Sequence, residues 1–319
     1  MTATGATARP TAVEPRTVAG LARLEMRYAS RSPLLWLGAV VTALLSWQPL
    51  LDGTAEPATA PEDPSFRLDL ALGPLALAAF VVADWAALRE RPTTTEELFG
   101  TTSARRWERT AGLLGAAAVP ALLAAVVTGV RFVLLLRTDG VPIGAGPWTA
   151  TLAPTPVEAL GGPLAVGCVF VAGVAFARVV RSRTLGAVVG FLGYALPFIV
   201  PALWVSAPFA FFAVSRTAAS ATDLGSAVSP GDEGRWSAIY PPGDFATSYV
   251  AIDRDLGLYA AHLVAVGGIA LALAGLALVR SGQDRRSRAL LLGGLAVAVA
   301  GIVTQLLLHE GAREWMGLV

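Results

Sequence analysis

The chain has no lysine, one cysteine and two histidines among its 319 residues, and charged side chains make up only 15% of it. Each scarcity removes a class of function. Without lysine there is no G-x-x-x-x-G-K-[ST] loop, so the chain has no P-loop with which to hydrolyse ATP itself. With Cys168 as its only cysteine, no disulfide can form within the chain. His262 and His309 lack H-E-x-x-H spacing, and even with Glu310 they are a weak metal set. No metal, catalytic residue or nucleic-acid partner is expected.

What is present in quantity is apolar: hydrophobic residues make up 55% of the chain. Several runs reach the ~20 residues that a hydrocarbon core of about 30 Å requires. The fold class is therefore all-α, a polytopic helical membrane protein with about six to seven transmembrane helices and an N-terminal interfacial helix. The expected spans are roughly 34–51, 69–88, 112–136, 159–180, 185–214, 257–280 and 289–308. Charge orients them, because basic residues favour the cytoplasmic side. Seventeen of the 24 arginines, against 7 acids, fall in segments that the alternation puts inside with the N-terminus. Among them are Arg23, Arg27, Arg31, Arg89, Arg105, Arg106, Arg178, Arg280 and Arg285. The outer segments hold 6 arginines and 15 acids, leaving Asp84 and Arg131 in the membrane. These two lie a membrane's thickness apart and are each read as interface residues rather than as parts of a substrate path. Ala58-Thr59-Ala60 could mimic a leader-cleavage site, but Pro61 follows it and a long polar segment precedes the first span, so that span reads as an anchor.

In chain order, 1–12 is a disordered tail and 13–31 an amphipathic interfacial helix, with Arg23, Arg27 and Arg31 on one face and Leu21, Leu24 and Tyr28 on another. Such a helix can lie in the membrane interface or pack on a partner. Ser32-Pro33 opens spans 1–5 (32–214), serine as cap and proline at the first helical position. Thr155-Pro156-Val157-Glu158 has the spacing of a capping box at the start of the fourth span, and Gly161, Gly162, Gly167 and Gly173 thin that helix for close packing. An extracytoplasmic loop, 215–256, carries a turn at Tyr240-Pro241-Pro242-Gly243. Spans 6–7 and an outer tail fill 257–319. The last two spans repeat a pattern, GGIALALAG at 267–275 and GGLAVAVAG at 293–301. It is either a glycine-lined hairpin or compositional bias, and bias is the preferred reading.

The stretch Arg89–Thr110, RERPTTTEELFGTTSARRWERT, is strongly polar and lies between two apolar runs. Pro92 stops the preceding helix. Thr94 and Glu97 have capping-box spacing, worth about 1 kcal/mol. A short helix over Thr95–Phe99 would end at Gly100, and Ser103 would cap a second helix carrying Arg105, Arg106, Trp107 and Arg109.

These features together resemble the permease subunits of ATP-binding-cassette (ABC) exporters, of the type-2 class common in actinobacteria. The resemblance rests on the Arg-rich N-terminal helix, the first span opening at Ser32-Pro33-Leu34, the second ending in Leu88-Arg89-Glu90-Arg91, then Thr95-Glu96-Glu97-Leu98-Phe99 and Ala104-Arg105-Arg106. It covers about the first 215 residues. It implies a coupling helix at 93–104, with Thr95, Glu96, Glu97, Leu98, Phe99, Arg105 and Arg106 docking on a separate ATPase subunit that holds ATP and Mg. It also implies a second permease chain, as a homodimer or heterodimer, in the bilayer of a bacterial plasma or inner membrane, and short helices or a re-entrant hairpin within 215–256. The seventh span departs from the family's usual six and puts the C-terminus outside. A secondary transporter or a membrane scaffold is the alternative. The span midplanes carry no acid, base or histidine, which disfavours the first of these.

Overall fold

A computed structural model of the chain describes residues 15–51, 71–89, 104–137, 141–143, 150–152, 156–180, 182, 184–192, 218–222, 238–240, 249–252, 256–282 and 285–308. Its body is helical: α1 (Pro15–Ser30), α2 (Pro33–Leu51), α3 (Gly73–Leu88), α4 (Arg106–Gly115), α5 (Ala118–Arg137), α6 (Gly161–Val179), α7 (184–192), α8 (Leu256–Arg280) and α9 (Arg285–Leu308). Short antiparallel ladders lie between helices. β1 (Val141–Ile143) pairs with β2 (Ala150–Leu152), and β5 (Tyr249–Ile252) lies between β3 (Ala218–Thr222) and β4 (Ala238–Tyr240). Of 215–255 the described residues are β3, β4 and β5, and the rest of the segment lies outside the described residues.

Four helices among the described residues are long and apolar enough to cross a membrane: Arg106–Arg137, Gly161–Val179, Gly257–Arg280 and Arg285–Leu308. Counting the bent pair Thr17–Ser30 and Pro33–Gln48 as one span gives five. Gly73–Leu88 is apolar but shorter, and only the first eight residues of the expected fifth span are described, within α7. The described residues therefore account for four or five spans, against the six or seven expected.

Local chemistry explains the breaks. α1 meets α2 at a bend of 61°. Pro33 supplies no N–H, so the chain restarts there, and the Ser32 carbonyl accepts the first bond of α2 from Trp36 N–H at 3.3 Å. The Trp36 indole donates to the Ser30 carbonyl at 2.7 Å and so fastens the bend. α4 and α5 form one rod with a tightened step at 116–117, where Ala116 N–H donates to Leu113 O and Val119 N–H to Ala116 O. Pro120 accounts for this step: it cannot donate to the Ala116 carbonyl four residues back, and its ring crowds that carbonyl. At the start of α6, a 3-10 turn over Glu158–Leu160 precedes the helix, and Leu160 at the N-cap makes no side-chain cap bond. Thr155, on which the capping box expected there depends, lies outside the described residues.

The core lies between α3 and α6, where Leu35, Leu72, Leu75, Val166, Phe170 and Val174 are fully buried. Gly173 makes this approach possible: a Cβ there would sit against the Phe80 carbonyl and 2.9 Å from Ala83 Cβ. Gly38 brings α2 equally near α3, with Ala78 Cβ 2.8 Å from where its own Cβ would be.

The α8–α9 hairpin is held in the same way over a longer distance. A Cβ on Gly268 would meet the backbone of Ala298, 2.7 Å from its Cα. One on Gly294 would meet Ala272, one on Gly275 Leu291, and one on Gly301 Ala265. All four contacts fall in one antiparallel register. By contrast Gly267 and Gly293, the first glycine of each repeated block, have nothing within 4 Å. The repeat is therefore a glycine-lined helical hairpin, which corrects the preference for compositional bias. Gly282, with φ +94°, occupies the left-handed position that ends α8 and starts the turn. The outward face of α9 leaves Leu292, Val299 and Leu307 exposed.

Candidate functional site

Among the described residues, arginines that share one side in the sequence pattern stand at helix ends: Arg27 in the last turn of α1, Arg178 in that of α6, Arg280 in that of α8 and Arg89 just past α3. Side-chain bonds and close contacts join several of these ends to one another and to the first turns of α4 and α7. The sequence does not announce the bonds of this arginine-rich end. Arg89, just past α3, donates from Nη2 to Glu25 Oε2 of α1 at 2.9 Å, with its guanidinium 5.1 Å above the Tyr28 ring. Arg178 of α6, almost fully buried, donates from Nη1 to the Ala87 carbonyl at 3.3 Å. Thr110 of α4 and Ser281 at the end of α8, both buried, share a hydroxyl–hydroxyl bond of 2.8 Å. The Ser281 hydroxyl also reaches the Ala277 carbonyl at 2.8 Å.

Packing reinforces these bonds. α1 lies on α4, where a Cβ on Gly112 would meet Leu21 Cβ at 2.7 Å and one on Gly115 would meet Ala22 Cβ at 3.0 Å. The inner face of α1 is thus Leu21, Ala22, Met26 and Ala29, packed within its own chain. Leu24 and Tyr28, expected on the same face as Leu21, are exposed, as are Arg23, Arg27 and Arg31.

Asp84 is only 1% exposed. Its carboxylate lies against the backbone of Gly186 in the first turn of α7, where a side chain larger than hydrogen would collide with both oxygens. An anion near a helix N-terminus is electrostatically favourable, and Ser182 caps α7 by accepting the Leu185 N–H at 3.3 Å. Asp84 is therefore buried inside its own subunit, not an interface residue as its sequence position suggests. Arg131, the other membrane charge, is half-buried on α5.

A cleft of about 630 Å³ opens among these elements. Two helix faces form its walls, Glu25, Tyr28 and Ala29 from α1 with Ser32 in the bend beyond it, and Val82, Trp85 and Ala86 from α3 with Arg89 just past its end, together with Thr184 and Ala187 of α7. Phe170, Leu113 and Ala116 form its floor. Its volume is that of a small-molecule site, ~300–1,000 Å³. Both walls follow the i, i+3, i+4, i+7 spacing of one helix face, and that spacing is the signal from which the cleft could have been found. It does not say that the two faces oppose each other.

Of the residues expected to dock an ATPase, Arg105 and Arg106 are exposed at the start of α4. The N-cap of that helix is Arg105, whose N–H donates to Glu108 Oε2 at 2.7 Å. Ser103 is therefore not the cap, and it lies outside the described residues. Thr95, Glu96, Glu97, Leu98 and Phe99 lie outside them as well, as do His309 and Glu310. His262 is buried near the opposite end of the bundle, with Nδ1 3.2 Å from Gln305 Oε1. Among the described residues no three His, Cys, Asp or Glu side chains converge as a metal set. No known family's model matches the chain, and no curated protein matches it.

Proposed function

We propose that the chain is the permease subunit of an ABC exporter, paired with a second permease chain and driven by a separate ATPase subunit. The observation that supports this reading most is how the two borders of segment 90–103 are held. Upstream, the end of α3 is fastened to α1 through Arg89–Glu25 and to α6 through Arg178 and the Ala87 carbonyl. Downstream, α4 rests on α1 at Gly112 and bonds to α8 through Thr110 and Ser281. A force applied to 90–103 would reach α1, α3, α4, α6 and α8 together, as a coupling segment requires, because packed interfaces move as bodies. Thr95–Phe99 would then insert Leu98 and Phe99 into a groove of the ATPase subunit, flanked by Glu96, Glu97, Arg105 and Arg106. The orientation that this needs, with the arginine-rich end in the cytoplasm, follows the basic-residue bias.

The test is affinity purification of the tagged chain from its native membrane. An ATPase subunit bearing a P-loop should co-elute. Phe99→Ala should weaken that association about thirtyfold, the usual cost of truncating a buried apolar anchor, with insertion and expression unchanged. If no such ATPase co-elutes, or if Phe99→Ala retains it fully, a membrane scaffold becomes the better account.

A further inference from the structure

From the cleft between α1, α3 and α7 we infer a binding site for an anionic glycerophospholipid, its acyl chain inside the cleft and its phosphate at Arg89. The inference is independent of the exporter reading and needs only that the chain resides in a bilayer. Three observations carry it. The interior of the cleft is apolar, with a floor of Phe170, Leu113 and Ala116, so a free phosphate would gain nothing from it while a hydrocarbon chain would. Two aromatic rings, Tyr28 and Trp85, border it half-exposed, Trp85 at 48%, and such rings favour the boundary between acyl chain and head group. The charged groups among the described lining residues are Arg89, 46% exposed, and its partner Glu25, 26% exposed, so a phosphate at the mouth meets one guanidinium with donors facing outward. Basic pockets between membrane helices suit anionic lipid head groups.

The Glu25–Arg89 pair gives the site a latch. In the structure Glu25 takes one Arg89 donor at 2.9 Å, so an incoming phosphate competes with a carboxylate for the same guanidinium. Removing the carboxylate should therefore tighten lipid binding and removing the guanidinium should weaken it. A purely structural ion pair would not produce these opposite signs.

The experiment uses the full chain in neutral detergent, titrated with phosphatidylglycerol brominated in its acyl chains. Quenching of Trp85 is read as the difference between the wild type and Trp85→Phe. Phosphatidylglycerol should quench at about fivefold lower mole fraction than brominated phosphatidylcholine, the value of one arginine near an anionic surface. Arg89→Gln should bring the two lipids level, and Glu25→Gln should widen the gap. Ala187→Phe, at an exposed position on the cleft wall, should abolish Trp85 quenching by both lipids. Soluble glycerol phosphate should not displace either. Equal quenching by the two lipids in the wild type would mean nonspecific annular lipid and overturn the inference. So would displacement by glycerol phosphate, which would mark a simple anion site, or unchanged quenching in Ala187→Phe.

Discussion

The α8–α9 hairpin and the arginine-rich end hold helices together by opposite means. In the hairpin, Gly268, Gly275, Gly294 and Gly301 let two backbones touch along one register. At the arginine-rich end, named polar atoms join helices that are far apart in sequence: Glu25 to Arg89, Ala87 to Arg178, Thr110 to Ser281. In a bilayer, lipid tails are as apolar as leucine, so helices gain little from burying apolar surface against one another. What remains is close van der Waals packing or hydrogen bonding: the hairpin relies chiefly on the first, with a buried His262–Gln305 bond beside it, and the arginine-rich end adds the second to the packing of α1 on α4. The contrast bears on mechanism. Backbone packing favours a hairpin that moves as a unit, whereas a set of discrete bonds can exchange partners one at a time.

The contrast can be broken most severely in the hairpin. Gly294→Leu would force a side chain into the Ala272 backbone and should cost about 3 kcal/mol, the upper part of the overpacking range. Gly293→Leu, one residue away and facing open space, should stay within about 0.5 kcal/mol of wild type. Unfolding in graded denaturing detergent measures both, and equal effects at 293 and 294 would refute the register. A middle-sized effect is expected where the two modes meet. Gly186→Ala should push α7 off the Asp84 carboxylate at a cost of about 2 kcal/mol. A second substitution, Asp84→Ala, should make room, so that the double variant loses less than the sum of the singles. The smallest effect belongs to one bond of the polar end. Thr110→Val keeps the shape, removes the hydroxyl that faces Ser281, and should cost about 1 kcal/mol in the same assay.

The same contrast explains what could be read from the sequence. The glycine blocks were visible as a repeat, but only the structure separates Gly268 and Gly294, which touch a backbone, from Gly267 and Gly293, which do not. Apolar runs located α2, α3, α6, α8 and α9 to within four residues, and the end of α5 to within one, because periodicity and length are local properties. The restart at Pro33 was equally local. The cleft was not legible. Its walls are one face of α1 and one face of α3, some sixty residues apart, and nothing in either face states which neighbour it meets. Asp84 was misassigned for the same reason: its isolation in an apolar run suggested an interface, and the glycine that accommodates it lies at 186, in another helix. The i→i+3 step before Pro120 was missed although its cause is a single residue, since the run on either side stays apolar.

The exporter reading requires that the arginine-rich end face the cytoplasm while the loop before α3 faces outward, and side-resolved cysteine labelling in sealed cells tests this most directly. With Cys168 replaced by alanine, Gly282→Cys is the probe to use, because Gly282 is exposed at the α8–α9 turn whereas its neighbour Ser281 is only 6% exposed and bonded to Thr110. Gly282→Cys and Thr102→Cys should react with a membrane-impermeant maleimide only after the cells are opened, and Thr59→Cys should react in intact cells. Labelling of Gly282→Cys from outside would contradict the account, since it would put the expected docking segment on the wrong side of the membrane for any ATPase.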